Sequence, residues 1–330
     1  MDSIFKKSGF LLEPPQRKRV LIGDLAVALL LFVIASTVQS ILITPMYLFS
    51  LITSFDFTAV INGTSSIAAE LSNVKVAITN IPVWLVIIEL FSFVVFIFAV
   101  LICRLCAERG NLKSLGISKK GWFSNYILGF CVGALVFSLC VLLSIITRGI
   151  RVSGPSISSF GEVIVLIVIL LGFVVQGAAE EFLFRGFMMT AIARKHSVGL
   201  AIILNSLFFA LAHIGNNGVT LLALINVMLF GIFASIIMLK TENIFIVCAL
   251  HTAWNFFQGN FFGISVSGMT KMPSVFTSEI LEANIFNGGV FGLEGSICVT
   301  IVLVIGILIF PILKSKDITK AKKDKLIKKA

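Results

Sequence analysis

Long apolar runs alternate with short polar or basic stretches along this chain. One bilayer crossing needs about 20 apolar residues in a helix, and this spacing predicts about eight membrane helices. They are expected to begin near Leu21, Ile81, Tyr126, Val163, Gly199, Val219, Asn243 and Ser296. The predicted fold class is therefore an all-α, polytopic integral membrane protein of about eight transmembrane helices.

The first apolar run continues past Gln39 to Phe55 and contains Pro45. It is either one long kinked helix or a membrane span followed by an interfacial segment. We see no internal repeat, and the only long connections expected are residues 55–80 and 259–295. We therefore interpret residues 1–330 as a single membrane domain that ends in a basic tail at 315–330.

The composition agrees with a membrane protein, because 58% of the residues are hydrophobic and only 13% are charged. Such values exclude a soluble domain of this length. The net charge of +10 could indicate a nucleic-acid-binding protein, but the lysines concentrate at the two ends, as in cytoplasmic tails. We expect no nucleic-acid partner and instead place the basic tail next to anionic membrane lipid.

The distribution of Lys and Arg predicts the orientation of the helices. With eight crossings and a cytoplasmic N-terminus, all of the 26 basic residues except Lys75, Arg148, Arg151 and Lys271 fall on the inner side. The positive-inside rule then predicts a multi-pass protein of the cell membrane with both termini in the cytoplasm. The connections at 55–80 and 259–295 are expected outside.

One apolar run, GFVVQGAAEEFLFRGFMM at residues 172–189, carries Glu180, Glu181 and Arg185 toward its end. An ionisable group costs about 2.5 kcal/mol or more in the hydrocarbon interior, so such groups are usually paired, hydrated or functional. On a helix Glu181 and Arg185 face each other and predict a structural ion pair, whereas Glu180 points about 100° away. Glu180 is then a candidate general base. The alternative is a purely structural ion cluster at the cytoplasmic helix end.

Three further polar side chains lie in later apolar runs. His213 is alone in its run, and His251 and Asn255 are four residues apart, so they project from one helix face. Each also has a structural interpretation: His213 as a packing residue, and the other two as interhelical hydrogen bonds worth about 0.6 kcal/mol each. Because two of only three histidines lie in spans directly after the carboxylate pair, we favour a functional site.

The three motifs together resemble the CPBP family of intramembrane proteases, which includes type II CAAX prenyl proteases and bacteriocin-processing enzymes. The family's signatures are Glu-Glu-x-x-x-Arg, Phe-x-x-x-His and His-x-x-x-Asn on successive membrane helices. They stand here as Glu180-Glu181-Phe-Leu-Phe-Arg185, Phe209-Ala-Leu-Ala-His213 and His251-Thr-Ala-Trp-Asn255. The resemblance covers about residues 160 to 260, which would form the catalytic core, and it implies a site that opens toward the cytosol.

The resemblance also implies hydrolysis of a peptide bond in a membrane-associated or lipidated peptide. Glu180 with His213 would position and activate the attacking water, and His251 with Asn255 would stabilise the oxyanion. Glu181 and Arg185 would hold the helix. Glu180, His213 and His251 would also make a two-histidine, one-carboxylate zinc set. Spacing does not choose between zinc and a glutamate mechanism without metal, and the sequence indicates no oligomeric state.

Two other functional classes remain open. One is a non-catalytic membrane protein that binds a peptide, such as a bacteriocin immunity protein, which could keep the same fold. The other is a proton-coupled transporter, which should show inverted repeats or matching broken helices. The sequence shows neither of these, so we favour the protease.

The predicted depths of the two histidines disagree. At 1.5 Å per residue, His251 lies roughly 12–16 Å from the cytoplasmic boundary, and His213 lies roughly 24 Å from it if the fifth helix begins near Ser197. We therefore expect the fifth helix to begin later than Ser197, or the connection before it to enter the membrane.

Overall fold

The computed structural model describes residues 9–12, 20–282 and 284–312. The predicted basic tail at 315–330 lies outside the described residues. The described ranges contain twelve α-helices and two β-strands. The helices are α1 (Leu21–Thr53), α2 (Phe57–Ile61), α3 (Ile67–Thr79), α4 (Val83–Ser92), α5 (Val94–Ile102), α6 (Trp122–Ile146), α7 (Phe160–Glu181), α8 (Thr190–Lys195), α9 (Val198–Leu211), α10 (Leu221–Thr241), α11 (Ile244–Phe256) and α12 (Ile297–Ile309). The strands are β1 (Ile150–Pro155) and β2 (Phe276–Ile280).

Each predicted apolar run is helical in the structure. The eight helices α1, α4, α6, α7, α9, α10, α11 and α12 begin within four residues of the predicted starts. Five helical segments are long and apolar enough to cross a membrane, namely Leu21–Ile61, Val83–Ala107, Trp122–Ile146, Phe160–Lys195 and Leu221–Thr241. Helices α9 and α12 are apolar but shorter. The all-α, polytopic membrane class is therefore confirmed, whereas five described segments rather than eight reach spanning length.

Helix α1 runs without interruption from Leu21 to Thr53 with Pro45 inside it. Of the two alternatives for this run, the structure shows one long helix. The connection at 55–80 is not merely a loop, because it contains α2 and α3, whose N-termini are capped by the side chains of Asp56 and Ser66. Polar caps of this kind satisfy the free N–H groups of the first helical turn.

The side chain of Glu70 links parts of this outer connection through hydrogen bonds. Its carboxylate accepts hydrogen bonds from the Ser65 hydroxyl at 2.6 Å, the Asp56 backbone N–H at 3.0 Å and the Asn73 side-chain amide at 3.0 Å. These bonds stabilise the ionised form and lower the pKa of Glu70, with the Ser65 hydroxyl contributing most. The segment is therefore an ordered part of the fold.

The two β-strands were not predicted from the sequence. They pair antiparallel, with Arg151 opposite Glu279. The pairing joins the connection between α6 and α7 to the connection at 259–295, and Asn287 adds a hydrogen bond from its amide to the Gly149 carbonyl oxygen at 3.1 Å. Both connections were expected on the outer side, so these contacts agree with the predicted alternation of the helices.

A second set of connections meets at the other end of the helices. The Ile244 N–H donates to the Gly116 carbonyl oxygen at 3.0 Å, and Lys195 Nζ lies 2.7 Å from the Asp24 carboxylate. Lys240 Nζ donates to the carbonyl oxygen of Phe310 at 2.6 Å. All of these segments were expected on the cytoplasmic side.

Helix α11 lies at the centre of the fold, packed between α6 and α7. Gly129 and Gly133 of α6 form a Gly-x-x-x-Gly pattern, and a Cβ at these positions would collide with the carbonyl oxygens of Ile246 and Leu250 on α11. Small residues at this spacing let two membrane helices approach backbone to backbone. On the other side, the hydroxyl of Thr252 donates to the carbonyl oxygen of Phe173 on α7 at 3.2 Å. These contacts fix the face that carries His251.

The segment after Glu181 is buried in the protein. This includes Arg185 and Arg194, which were counted among the basic residues of the cytoplasmic side. The reason is that α7 continues through a π-helical segment, Phe182–Met189, directly into α8. Of the two alternatives for the fifth predicted helix, the structure does not show a much later start, because α9 starts at Val198 and is capped by the Ser197 hydroxyl. Instead, α8, the connection before it, is buried.

Candidate active site

Helices α1, α4, α7, α9, α10 and α11 surround a cavity of about 250 Å³ that the 259–295 connection also lines. Glu180, His213, His251 and Asn255 all lie in its wall. The structure thus brings the four predicted catalytic side chains to one cavity, although they are contributed by three helices or helix ends. Glu181 and Arg185 are fully buried next to this wall.

The Glu181 carboxylate binds two side chains rather than one. Its Oε1 atom accepts a hydrogen bond from Arg185 Nη1 at 2.7 Å, and His251 Nδ1 lies 2.9 Å from the same oxygen. The Arg185 guanidinium also stacks 4.3 Å from the ring centre of Phe209, a cation–π contact. The predicted ion pair is present, but it also holds a histidine of the site.

This contact orients the imidazole of His251. An ionised carboxylate can only accept a hydrogen bond, so Nδ1 of His251 carries the proton that it shares with Glu181. The other ring nitrogen, Nε2, lies 3.8 Å from Oε2 of Glu180. That distance is too long for a direct hydrogen bond, but one water molecule can contact both atoms.

Gln176 links two of the predicted residues, and the sequence gave it no role. Its amide nitrogen donates to Glu180 Oε1 at 2.5 Å, and its amide oxygen accepts from Asn255 Nδ2 at 2.8 Å. Gln176 is four residues before Glu180 and so lies on the same helix face. That spacing was the signal that could have identified it. The bonds leave Glu180 Oε2 as a buried oxygen with no hydrogen-bond partner in the described part of the chain.

His213 reaches the cavity from the end of α9. Its Nδ1 lies 2.8 Å from the Phe209 carbonyl oxygen, which can only accept, so Nδ1 carries the proton and Nε2 is left for other contacts. The ring of Phe209 packs against the rings of His213 and His251, at 4.9 and 6.0 Å between centres. No hydrogen bond or ion pair joins His213 to Glu180 among the described residues, so the structure sets His251, and not His213, beside Glu180.

Two π-helical segments adjoin the site. One begins directly after Glu181, and the other, Phe257–Phe261, directly follows α11. A π-helical turn holds one more residue than an α-helical turn and is often found at functional sites. The sequence pattern did not indicate either distortion.

Two carboxylates of the cavity wall were also missed by sequence reasoning. Glu89 on α4 accepts a hydrogen bond from the Tyr47 hydroxyl at 2.8 Å. Glu294, at the end of the 259–295 connection, accepts from Trp254 Nε1 at 3.0 Å and from the Ser267 hydroxyl at 2.7 Å. The three partners lie at least 27 residues away in the chain, so no local sequence pattern indicates these contacts.

The proposed zinc set does not fit the arrangement of these side chains. Among the described residues, no group of three or more His, Cys, Asp or Glu side chains lies close enough to hold a metal ion. In the same part of the chain, no hydrogen bond or ion pair joins His213 to Glu180, and Nδ1 of His213 lies 2.8 Å from the Phe209 carbonyl oxygen. We therefore derive no catalytic step through a metal.

Residues 162–257 match the family model of Rce1-like, type II CAAX prenyl endopeptidases. The matched segment contains all three motifs and Gln176, and it confirms the predicted likeness to the CPBP intramembrane proteases. The Rce1-like segment supports a CAAX-type intramembrane endopeptidase in a multi-pass membrane protein. Neither a curated protein nor a solved structure matched the chain. Helix α1, Glu89 and Glu294 lie outside the Rce1-like segment.

Proposed function

We propose that this protein is an intramembrane endopeptidase that hydrolyses a peptide bond of a membrane-associated or lipidated peptide, with water activated by Glu180. The observation that carries the proposal is the pair of atoms Glu180 Oε2 and His251 Nε2, 3.8 Å apart in the cavity wall. Glu180 Oε2 is buried and has no hydrogen-bond partner among the described residues. The Rce1-like match supports the same class of reaction.

In the proposed reaction, water is held between Glu180 and His251. Glu180 takes a proton from the water as the oxygen attacks the carbonyl carbon of the peptide bond, and it then gives this proton to the leaving amine nitrogen as the C–N bond breaks. One water is consumed, and a carboxylate and an amine are formed. The proposed water therefore lies between Glu180 and His251, whereas the family resemblance implied Glu180 and His213.

Asn255 is the proposed donor to the oxyanion of the tetrahedral intermediate. One hydrogen of its amide is donated to Gln176, and the second is left for the substrate. His213, which keeps its Nδ1 proton on the Phe209 carbonyl oxygen, is a second donor when Nε2 is protonated. Donors fixed in place before the reaction stabilise the developing charge without reorganisation.

An apolar groove of about 190 Å³ supports a substrate that arrives through the membrane. The groove lies between α1, the π-helical segment after α7, and α9. Phe32, Leu183, Phe184 and Ala212 line both this groove and the catalytic cavity. A lipid chain or an apolar peptide segment in the groove would therefore be separated from the catalytic cavity only by the side chains that line both.

The proposal is tested by substituting Glu180 in protein purified in a neutral detergent, with a fluorogenic peptide as substrate. Glu180→Gln removes the group that accepts the proton, so kcat should fall by about 10² or more while peptide binding is retained. Glu279→Gln, which changes an exposed carboxylate on β2, is the matched control. Undiminished cleavage by the Glu180→Gln variant would overturn the mechanism.

The same assay tests the role of Asn255 and the absence of a metal step. Asn255→Ala should lower kcat by about 10²–10³ with little change in KM, because an oxyanion donor acts in the transition state.

Prolonged treatment with a chelator should leave cleavage unchanged, since no step is assigned to a metal. Loss of activity on chelation with recovery on adding zinc would restore the zinc alternative. A wild-type protein that binds the peptide but never cleaves it would instead be a peptide-binding protein.

A further inference from the structure

The wall of the catalytic cavity carries an excess of negative charge. Glu89, Glu180 and Glu294 line it from α4, α7 and the 259–295 connection, and no Lys or Arg side chain is among its lining residues in the described part of the chain. Arg185 is bonded through Nη1 to Glu181 behind the wall. His251 also lines the cavity, with Nε2 3.8 Å from Glu180 Oε2. Glu89 and Glu294 are therefore the lining carboxylates that form no ion pair with a basic side chain in the described part of the chain.

Neutral groups supply the hydrogen bonds to each of these carboxylates. Glu89 is bound by the hydroxyl of Tyr47, and Glu180 by the amide of Gln176. Glu294 accepts from its four neutral donors on Trp254, Gln258 and Ser267, although only 8% of the residue is exposed. Hydrogen bonds from dipoles satisfy the oxygens but leave the net charge uncompensated. Burying such charge costs free energy unless an opposite charge enters.

The aromatic rings of the cavity also point to a cationic occupant. Aromatic rings, including those of Phe230 and Trp254, form much of the remaining wall, and the faces of aromatic rings attract cations. Carboxylates and aromatic faces together match a long side chain with a positively charged end.

We propose that the cavity selects peptides with a Lys or Arg side chain next to the cleaved bond, and that Glu294 and Glu89 determine this specificity. This inference rests on the proposed function, because it names the substrate class of the same cavity. The cavity of about 250 Å³ is smaller than the roughly 300–1,000 Å³ of typical small-molecule sites. It therefore receives part of a peptide, with the basic side chain lying between the two carboxylates.

The negative charge of the cavity wall also predicts which peptides bind weakly. An acidic side chain, or a free carboxylate at the end of a peptide, would meet three groups of like charge in a poorly hydrated space. The expected order of preference is basic, then neutral, then acidic. An enzyme that relies on recognition of a terminal carboxylate would show the opposite order.

The test uses three peptides with blocked termini that differ only in the central residue, which is Lys, norleucine or Glu. Binding to purified wild-type protein in a neutral detergent is measured by microscale thermophoresis, and cleavage is followed in parallel. The Lys peptide should bind at least tenfold more tightly than the norleucine peptide, and the Glu peptide should bind most weakly. Raising the salt concentration should reduce this preference only partly, because a buried pair is poorly screened.

Glu89→Gln and Glu294→Gln should each lower the ratio of Lys to norleucine affinity by about tenfold. The Glu89→Gln side chain keeps an oxygen that can accept the hydrogen bond from Tyr47. This variant therefore still tests the inference if the Glu294→Gln variant fails to fold. Glu279→Gln, on the exposed face of β2, is the control and should leave the ratio unchanged. Thermal unfolding in the same detergent checks that each variant is folded.

The outcomes separate this inference from the proposed function. If all three peptides bind with equal affinity and all are cleaved, the proposed charge selection is wrong and the proposed endopeptidase activity is supported. Selective binding of the Lys peptide, lost in the two variants but without cleavage in wild type, would support the charge selection and count against the endopeptidase. Equal binding of the three peptides overturns the inference whether or not cleavage is observed.

Discussion

Nδ1 of His251 lies 2.9 Å from Oε1 of Glu181, the same carboxylate oxygen that accepts a hydrogen bond from Arg185 at 2.7 Å. One buried oxygen therefore binds both the cation that neutralises it and the imidazole that faces the cavity. The second glutamate of the Glu-Glu-x-x-x-Arg motif both stabilises its helix and orients a side chain of the site. A substitution here should affect folding and catalysis together.

Glu181→Gln should lower kcat by at least about 10² in the fraction of protein that remains folded. The reason is that an amide no longer fixes the proton of His251 on Nδ1. Arg185→Ala should mainly reduce the amount of folded protein, because it leaves an unmatched buried charge at a cost of about 3–5 kcal/mol. The measurements are the yield of monodisperse protein and kcat per folded molecule. A fully active Glu181→Gln variant would show that this contact does not orient His251.

Gln176→Leu should reduce kcat by roughly tenfold while leaving the yield nearly unchanged. The substitution keeps the approximate size of the side chain but removes the amide that holds Glu180 and Asn255 at 2.5 and 2.8 Å. Loss of a positioning contact acts on kcat rather than on KM. The control is Gln176→Glu, which keeps an acceptor for Asn255 but loses the donor to Glu180. If the Leu variant shows only a higher KM, Gln176 contacts the substrate instead.

Gly133→Val should lower the thermal stability of the protein. Any Cβ at this position collides with the Leu250 carbonyl oxygen on α11, and overpacking of this kind costs about 1–3 kcal/mol or more. Gly154→Ala on β1 is a matched control, because no atom lies within 4 Å of the added Cβ. Thermal unfolding in detergent should show a lower Tm for the first variant and an unchanged Tm for the second. Equal Tm values would mean that α6 and α11 are not in close contact.

The predicted orientation can be tested by cysteine labelling in intact cells, in a variant that lacks the six native cysteines. Glu279→Cys, on the exposed face of β2, should react with a membrane-impermeant reagent, and Lys119→Cys should react only after the cells are opened. Both positions are exposed, unlike Leu115, which is fully buried and would not be labelled from either side. The opposite pattern would place the termini outside.

The sequence predicted the helices well because long apolar runs leave few alternatives to a membrane helix. It also predicted which motif residues line the cavity, since spacing of four residues fixes a common helix face. The roles of Glu89 and Glu294 could not be predicted, because their partners Tyr47 and Trp254 lie about 40 residues away in the chain.

The errors also have physical causes. Five- and six-residue strands such as β1 and β2 carry little pattern of their own, and they pair across more than 120 residues. The π-helical continuation of α7 from Phe182 to Met189 was also not predicted, because the apolar pattern carries no signal for such a distortion. The ion pair with Glu181 and the ring of Phe209 allow the helix to continue through Arg185.

Helix α9, which carries His213 at its end, has only 14 residues and is therefore about 21 Å long. A typical hydrocarbon core is about 30 Å thick, and Ile203, Leu207, Leu211 and Ile214 form an exposed apolar stripe along this helix. Lipids in contact with that stripe must shorten or tilt to match it, at a cost that rises with bilayer thickness. The thickness of the surrounding bilayer is thus coupled to the position of His213, and longer acyl chains should strain the side of the cavity that α9 supports.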